Sequence, residues 1–398
     1  MSVAYHFQER RIMSSRNEFK IVQDPINGPV KISTPLQKII DTPEFQRLRY
    51  IRQLGMCHLV FPGANHTRFE HSVGTMHLAM MFADSLHVKN ETLFAISALL
   101  HDIGHPPLSH GAEDTFQKIT GLDHLNAGVR MILGEKPFEN SSLPGAIEEA
   151  GVRPSDVSDV LLFRSKENRI ISRLISGPVD VDELDYLRRD SLYTGVSIGN
   201  VDHRRILNVA MISDDDVFIE EKGLGTMESI LIARILMYGS VYFHKTSRIA
   251  QIMASKAILM NKDEFRNPFT MTDNDFYSFL SRDGHQLSRS ILTRNLHKPV
   301  LREEYSPKRI DEIRGILSEV KDLEDWEYIV DIIPPPEFSG PGRVKSDMGV
   351  LRGGTPVEIT QVSPLIRTLR ETLENKSIVV SASKQKFNVV SHALGRGQ

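Results

Sequence analysis

Leu93-Phe94-Ala95-Ile96-Ser97-Ala98-Leu99-Leu100-His101-Asp102-Ile103-Gly104-His105 is the stretch that decides how this chain is read. The uncharged run Leu93 to Leu100 predicts a helix buried nearly all round, and His101-Asp102 falls where that helix ends. An imidazole and a carboxylate side by side at the end of a buried helix suggest a metal site. Upstream, Thr67-Arg68-Phe69-Glu70-His71-Ser72 leads into a second predicted helix, Phe69 to Leu86, with His71, Gly74, Thr75 and Leu78 on one face. Downstream, Asp180-Val181-Asp182-Glu183-Leu184-Asp185-Tyr186 opens an acidic helix. A distributed set of His, His-Asp and Asp ligands needs groups in these places.

Nine of the fifteen histidines, His58, His66, His71, His77, His87, His101, His105, His110 and His124, fall within 67 residues, more than core packing requires. Any one alone, such as His77 or His87, reads best as a hydrogen-bonded or surface histidine. The odds reverse for His71 with His101-Asp102, where three complementary groups recur in one segment. Asp182 is the candidate fourth ligand, and Asp182, Tyr186, Arg189 and Asp190 share a helix side at i, i+4, i+7 and i+8. Asp180 and Asp185 compete with it, and the acidic run reads equally well as a solvated first turn favoured by the helix dipole.

From about Thr34 to about Met260 the apolar spacing is helical. Leu36, Ile39 and Ile40 repeat first, Phe45, Leu48 and Ile51 follow, and Pro35 and Pro43 suit first-turn positions. Ahead of this, Phe19 to Val22 and Val30 to Ile32 flank a turn-rich Asp24-Pro25-Ile26-Asn27-Gly28-Pro29 and predict a hairpin. A short strand is expected at Val217 to Ile219. Past Pro299, Glu327 to Ile333 reads as a strand ended by Pro334-Pro335-Pro336, Ser339 to Gly342 as a loop, Leu365 to Leu373 as a helix and Ser377 to Ala382 as a strand. The expected fold is mainly α, with an N-terminal extension at 1–18, a helical catalytic core at 19–300 and a C-terminal α+β lobe at 301–398. Met13 is an alternative start to Met1.

At 398 residues and 40% apolar composition the chain can bury a large core. Its formal charge of −3 gives no global basic field, so nucleic-acid binding is not indicated and an anionic ligand must meet a local cluster of cations. Cys57 is the single cysteine, which excludes an intrachain disulfide framework and a multi-cysteine zinc site. The first sixteen residues lack an apolar h-region, and no stretch approaches ~18 uninterrupted apolar residues, so a cytoplasmic protein without a membrane span is expected.

The residues also match a family. Asp24-Pro25-Ile26-Asn27-Gly28, the run Asp41-Thr42-Pro43-Glu44-Phe45-Gln46-Arg47-Leu48-Arg49-Tyr50-Ile51-Arg52-Gln53-Leu54-Gly55, Phe61-Pro62-Gly63-Ala64, Arg68-Phe69-Glu70-His71-Ser72 and Asp182-x-x-Asp185-Tyr186-x-x-Arg189-Asp190 resemble the HD-domain phosphohydrolases. Within these they resemble the dNTP triphosphohydrolases related to the mammalian sterile-alpha-motif and HD-domain enzyme. The resemblance implies His71, His101, Asp102 and Asp182 as ligands of a divalent ion, Mn, Mg, Fe, Ni or Zn. It implies His105, Glu113 and His124 as catalytic residues near the α-phosphate, although Glu113 replaces an aspartate and Leu125 a glutamate of the mammalian pattern. Gln53 and Leu54 would lie at the sugar, Arg68 and His110 at the phosphates, Tyr186 beneath the deoxyribose and Asp190 at the 3′-hydroxyl. Glu183 stands where that pattern has a phosphate-contacting lysine, so Lys245 or other cations must compensate, or the substrate carries less charge.

Lys20, Asp41, Gln46 and Arg49 match residues that bind a guanine nucleotide activator, GTP or a dNTP, between subunits of the family's tetramer. Taken singly, Asp41 reads as a helix cap before Pro43 and Arg49 as a solvated face. The expected activity is metal-assisted hydrolysis of a dNTP to a deoxynucleoside and triphosphate by a homo-oligomer, dimer or tetramer, with His124 or His105, oriented by Glu113, transferring the proton. The alternatives are an HD phosphatase acting on a nucleoside monophosphate or a signalling nucleotide, and a non-enzymatic nucleotide sensor.

Overall fold

The computed structural model describes residues 19–213, 215–335, 349–372 and 376–396. The extension expected at 1–18, the loop at 339–342, and Pro336 and Leu373 at the ends of two expected elements lie outside these residues.

The hairpin forms as expected, β1 (Phe19–Asp24) pairing antiparallel with β2 (Gly28–Ser33) so that Asp24 faces Gly28. Asp24 makes the turn: its Oδ1 accepts from the amides of Ile26 (2.9 Å) and Asn27 (2.7 Å), and Gly28 supplies the positive φ of 72°. The helices Thr34–Ile40 and Pro43–Arg47 follow, each with proline in its first turn. The cap before Pro43 is Thr42, whose side chain accepts from the Phe45 amide at 3.4 Å, rather than Asp41, which ends the preceding helix and accepts from Gln37 Nε2 at 2.9 Å. Thr42 is simply one residue nearer the first turn, where its hydroxyl reaches the N3 amide.

Two helices, Arg68–Leu86 and Glu91–Leu100, form the centre of the largest apolar core. Phe94, Ile96, Ala98, Leu99 and Leu100 are all fully buried, each larger side chain contributing about 1.5–3 kcal/mol by leaving water. The helix Val181–Thr194 begins at Asp180, whose Oδ1 accepts the Glu183 amide at 2.6 Å, and ends at Gly195 in the left-handed region. It lies against Arg68–Leu86 at Gly74, where a Cβ would stand 2.1 Å from Asp185 Oδ1 and 2.4 Å from Arg189 Nη2. Glycine there sets how closely the two ligand-bearing helices approach.

Strand β3 (Ala210–Ser213) pairs with β4 (Asp216–Glu220), the strand expected near Val217. An antiparallel sheet of β5 (Lys298–Glu304), β6 (Tyr328–Ile333) and β9 (Ser377–Ala382), ordered β5-β9-β6, builds a small core with the helices Pro307–Ser318 and Phe387–Ala393. The mainly α architecture with an α+β lobe is as expected, and some of the described residues past 301 pack outside that lobe. Strand β7 (Gly349–Arg352) pairs parallel with β4 and antiparallel with β8 (Thr355–Glu358), and Val350, Ile359 and Ile366 enter the large core. A parallel pairing of Ile219 with Val350 leaves no local periodicity to read.

The stretch Glu221–Tyr242 is long and apolar enough to cross a membrane by length and composition. It carries Arg234 with its side chain 1% exposed in an ion pair with Glu183, and Met227, Leu231 and Met237 are buried in the main core, as in a core helix.

Candidate metal and catalytic site

Three helices converge on one point. His71 comes from the first turn of Arg68–Leu86, His101 and Asp102 from the end of Glu91–Leu100, and Asp182 from the first turn of Val181–Thr194. His71 Nε2 lies 3.3 Å from His101 Nε2, 3.1 Å from Asp182 Oδ1 and 3.5 Å from Asp102 Oδ2. His101 Nε2 lies 3.4 Å from Asp102 Oδ1 and 3.7 Å from Asp182 Oδ1. Donors held ~2.0–2.2 Å from one ion stand ~3.0–3.4 Å apart, so His71, His101 and Asp182 fit a divalent cation nearly without rearrangement, with Asp102 beside both imidazoles. The outer nitrogens are anchored: His71 Nδ1 donates to Asp185 Oδ2 (2.9 Å) and His101 Nδ1 to the Ala98 carbonyl (2.8 Å). With both Nδ1 atoms engaged, each Nε2 is the atom that faces the shared centre, the ring orientation that a metal requires.

The same geometry separates the three competing aspartates. Asp180 is the helix cap. Asp185 accepts from Arg189 Nε (2.8 Å) and Nη2 (2.9 Å) and from His71, so it orients a ligand. Asp182 is the one that faces both imidazoles, with its side chain 13% exposed. Arg189 carries the chain of contacts further, donating through Nη1 to Asp24 Oδ2 at 2.9 Å, so the hairpin turn braces Asp185 and hence His71.

The carboxylates set the charge of the site. Burial acts against a charged His71, but its hydrogen bonds to Asp182 and Asp185 outweigh burial and hold it up at about 10. Asp102 is held well below the usual carboxylate range: burial opposes this, while Arg68, His101 and His105 favour its charged form. A centre that draws so strongly on positive charge suits a cation.

A second cluster adjoins the first. Glu113 accepts from His110 Nδ1 at 2.8 Å and from His124 Nδ1 in a shorter contact, and these two imidazoles keep its carboxyl ionised well below the usual range despite burial. His105 is fully buried, stacks on His124 with centroids 4.0 Å apart and planes 13° apart, and lies 3.3 Å from Asp102 Oδ1 through Nε2. Burial, with Arg68 and His124 nearby, drives its pKa well below the ordinary histidine value, so it is a neutral ring. Glu113 thus orients His124 and His110, whereas His105 stacks on His124 and meets Asp102, so of the two rings expected as proton carriers it is His124 that Glu113 holds. The ligand-capable atoms of these four side chains lie within 4.8 Å of one another. Parallel stacked imidazoles direct their ring nitrogens side by side, an arrangement in which an N–H can donate to a substrate oxygen or pass on a proton.

Arg68 is buried, donates through Nε to Ser109 Oγ at 2.8 Å and pairs with Asp102 through Nη1, while its Nη2 has no hydrogen-bond partner among the described residues. The His110 side chain is 66% exposed. Gln53 donates its backbone N–H to the His66 carbonyl at 3.0 Å, its buried side-chain Oε1 is unpartnered among the described residues, and Leu54 follows it. Tyr186 meets Tyr242 edge-on at 6.2 Å. Asp190 is 1% exposed and accepts from His66 Nε2 (2.7 Å) and Tyr242 Oη (2.8 Å), so any ligand hydroxyl would share these oxygens. Glu183 is buried with Nη1 of Arg234 2.8 Å away, so its charge is matched inside the fold. Lys245 is exposed. Of the four residues expected at an activator site, Gln46 accepts from Arg49 Nε at 2.8 Å and Arg49 lies 3.5 Å over the Phe69 ring, Asp41 bonds Gln37, and Lys20 stands exposed on β1.

Sequence reasoning missed His66, Tyr242, Ser109 and Asp273 as parts of the site's framework. His66 was visible in the dense histidine segment, but nothing in a linear sequence pairs it with Asp190.

The HD-domain model matches residues 68–171 and the HD-associated-region model residues 201–396. The chain is 34% identical over 389 residues to an uncharacterized protein of Methanocaldococcus jannaschii, covering 92% of this chain and 80% of that one. With the donor geometry, these matches place the chain in the HD-domain phosphohydrolase family, as a metal-dependent hydrolase. Among its relatives is the human deoxynucleoside triphosphate triphosphohydrolase SAMHD1, 28% identical over 404 residues that cover 82% of this chain and 64% of that protein. In three dimensions the chain resembles a crystal structure of a hypothetical protein from Aquifex aeolicus (TM-score 0.79, 29% identity, 94% of this chain and 100% of that one). It also resembles a phosphohydrolase from Bacteroides thetaiotaomicron (TM-score 0.75, 28% identity, 92% and 100%).

Proposed function

We propose that the protein hydrolyses deoxynucleoside triphosphates at the α-phosphate, releasing a deoxynucleoside and triphosphate. The observation that carries this reading is the convergence of His71, His101 and Asp182 within 3.7 Å, with Asp102 3.4–3.5 Å from both imidazoles, beside an Arg68 Nη2 that has no hydrogen-bond partner among the described residues. The relatives named as triphosphohydrolases supply the substrate class.

In this reading the four ligands hold Mn, Mg, Fe, Ni or Zn, which supplies Lewis-acid polarisation and lowers the pKa of water. Arg68 and His110 take phosphate oxygens and offset the charge that develops in the transition state. His124, oriented by Glu113, gives a proton to the leaving ester oxygen, with neutral His105 stacked beneath it. Gln53 and Leu54 border the sugar. Tyr186 beneath the deoxyribose excludes a 2′-hydroxyl sterically, and Asp190 accepts from the 3′-hydroxyl. Lys20, Asp41, Gln46 and Arg49 bind a GTP or dNTP activator between subunits of a homo-oligomer, a dimer or a tetramer of paired dimers, working in the cytoplasm.

The reading of a less charged substrate, a nucleoside monophosphate or a signalling nucleotide, drew on Glu183. The Glu183–Arg234 pair matches the charge of the carboxylate on which it drew.

The test is a turnover screen of all four dNTPs with and without GTP, in Mg²⁺ and in Mn²⁺, with product analysis. Deoxynucleoside plus triphosphate is expected. Deoxynucleoside monophosphate plus pyrophosphate would rule out the cleavage position, and turnover confined to monophosphates would overturn the substrate class.

A further inference from the structure

The loop between His105 and Glu113 contains a backbone conformation that its residues do not favour. Leu108 and Ser109 are consecutive L-residues with φ of 64° and 53°. Such a pair persists only where its surroundings over-determine it, and such sites cluster at functional loops. Three things hold it here. The Leu108 side chain is 1% exposed in a core with Met56 and Phe116, and its carbonyl oxygen would be 2.5 Å from a Cβ on Gly55. The Leu108 amide donates to Asp273 Oδ1 at 2.8 Å.

Asp273 is 1% exposed and opens the helix Asp273–Asp283. Its other oxygen accepts from the Arg52 amide at 3.0 Å and Arg52 Nη1 at 3.5 Å. One carboxylate therefore ties the Arg52-Gln53-Leu54 segment to the strained elbow. The elbow in turn places Ser109 Oγ, which donates to the Arg52 carbonyl (2.7 Å) and accepts from Arg68 Nε (2.8 Å). Two residues before Asp273, the Met271 carbonyl accepts from Arg47 Nη1 at 3.0 Å, and the same guanidinium grips the carbonyls of His105 (2.8 Å) and Ile103 (2.7 Å). The 271–273 segment belongs to the HD-associated region, and Arg68 and the elbow belong to the HD domain.

We propose that Asp273 is a positioning residue: it fixes the Leu108–Ser109 elbow and, through Ser109 Oγ, aims the Arg68 guanidinium at a phosphate oxygen of the substrate. This rests on the phosphate-binding role given to Arg68 above. Asp273 touches no substrate and no metal ligand. Its removal lowers affinity for the polyphosphate while the metal is retained, because His71, His101 and Asp182 are held by contacts that do not pass through it and only Asp102, paired with Arg68 Nη1, lies within reach of the change.

The test is isothermal titration of inorganic tripolyphosphate into the full-length, Mn²⁺-loaded protein, with metal content and melting temperature measured in parallel. Asp273→Asn keeps the shape but offers an N–H where an amide donor needs an acceptor, and about a tenfold rise in Kd for tripolyphosphate is expected at unchanged metal content. On dNTPs, KM should rise more than kcat falls. Ser109→Ala breaks the same link at its far end and should weaken tripolyphosphate similarly, so it carries the test if Asp273→Asn fails to fold. Binding within twofold of wild type in a folded variant, or loss of metal in step with tripolyphosphate, would overturn the proposal. Tripolyphosphate binding that depends on Asp273 in a protein that cleaves no dNTP would keep this inference and refute the triphosphohydrolase reading.

Discussion

The two histidine clusters stand side by side, joined by Asp102, yet are built differently. Around His71, His101, Asp102 and Asp182 each outer imidazole nitrogen has a fixed acceptor, and the acceptor of His71 is itself gripped by the buried Arg189. Around Glu113 a single carboxylate holds two rings, one of them largely exposed, and the third ring is kept by stacking. The first arrangement resists displacement, as a permanent ligand set must. The second leaves nitrogens able to follow a substrate as it arrives.

This contrast means that the clusters can be separated by mutation. The largest effect is expected for His101→Ala, which removes a donor: metal content should fall and turnover should drop by about 10³-fold or more, measured by metal analysis alongside steady-state rates. Unchanged turnover would remove this site from the mechanism.

Glu113→Gln should lower kcat by about 10²-fold at unchanged metal content. Metal loss in this variant would show that the clusters are one unit. The variant also tests the charge. Because the folded Glu113 carboxyl sits below its ordinary value, its stabilisation is present above pH ~4.5 and is lost as pH falls towards the folded value. Wild type should exceed Glu113→Gln by about 1–2 kcal/mol at pH 7 in urea unfolding, with the gap narrowing below pH ~4.

The smallest shift is expected for Gly74→Ala, which touches neither cluster's donors. Its Cβ collides with Asp185 and Arg189, so metal affinity should fall about tenfold while the Glu113 cluster is untouched. Titration with Mn²⁺ measures this, and an unaltered affinity would mean that Asp185 does not tune the centre.

Much of the framework was legible because it is local. The apolar period marked the helices Arg68–Leu86 and Glu91–Leu100, and alternating residues around Asp24-Pro25 marked the hairpin. Spacing alone left Asp180 and Asp185 as close competitors of Asp182, since all lie in or near one helical turn. What separates them is the identity of their partners, a backbone amide, two imidazoles, and an arginine with a histidine, and partners are a matter of tertiary structure. The same limit hid the Glu183–Arg234 pair, which changes how Glu183 is read, and the pairing of β4 with β7 across more than a hundred residues. Asp273 carried no motif, because its significance lies in two amides contributed by distant loops.

The Asp24–Arg189–Asp185–His71 relay has a consequence for how the protein can be shortened. A version trimmed to begin after β2 would still contain every ligand and every catalytic side chain. It would nonetheless have lost the far end of the brace that stops one imidazole from rotating, so a count of the residues needed for chemistry underestimates the smallest unit able to perform it.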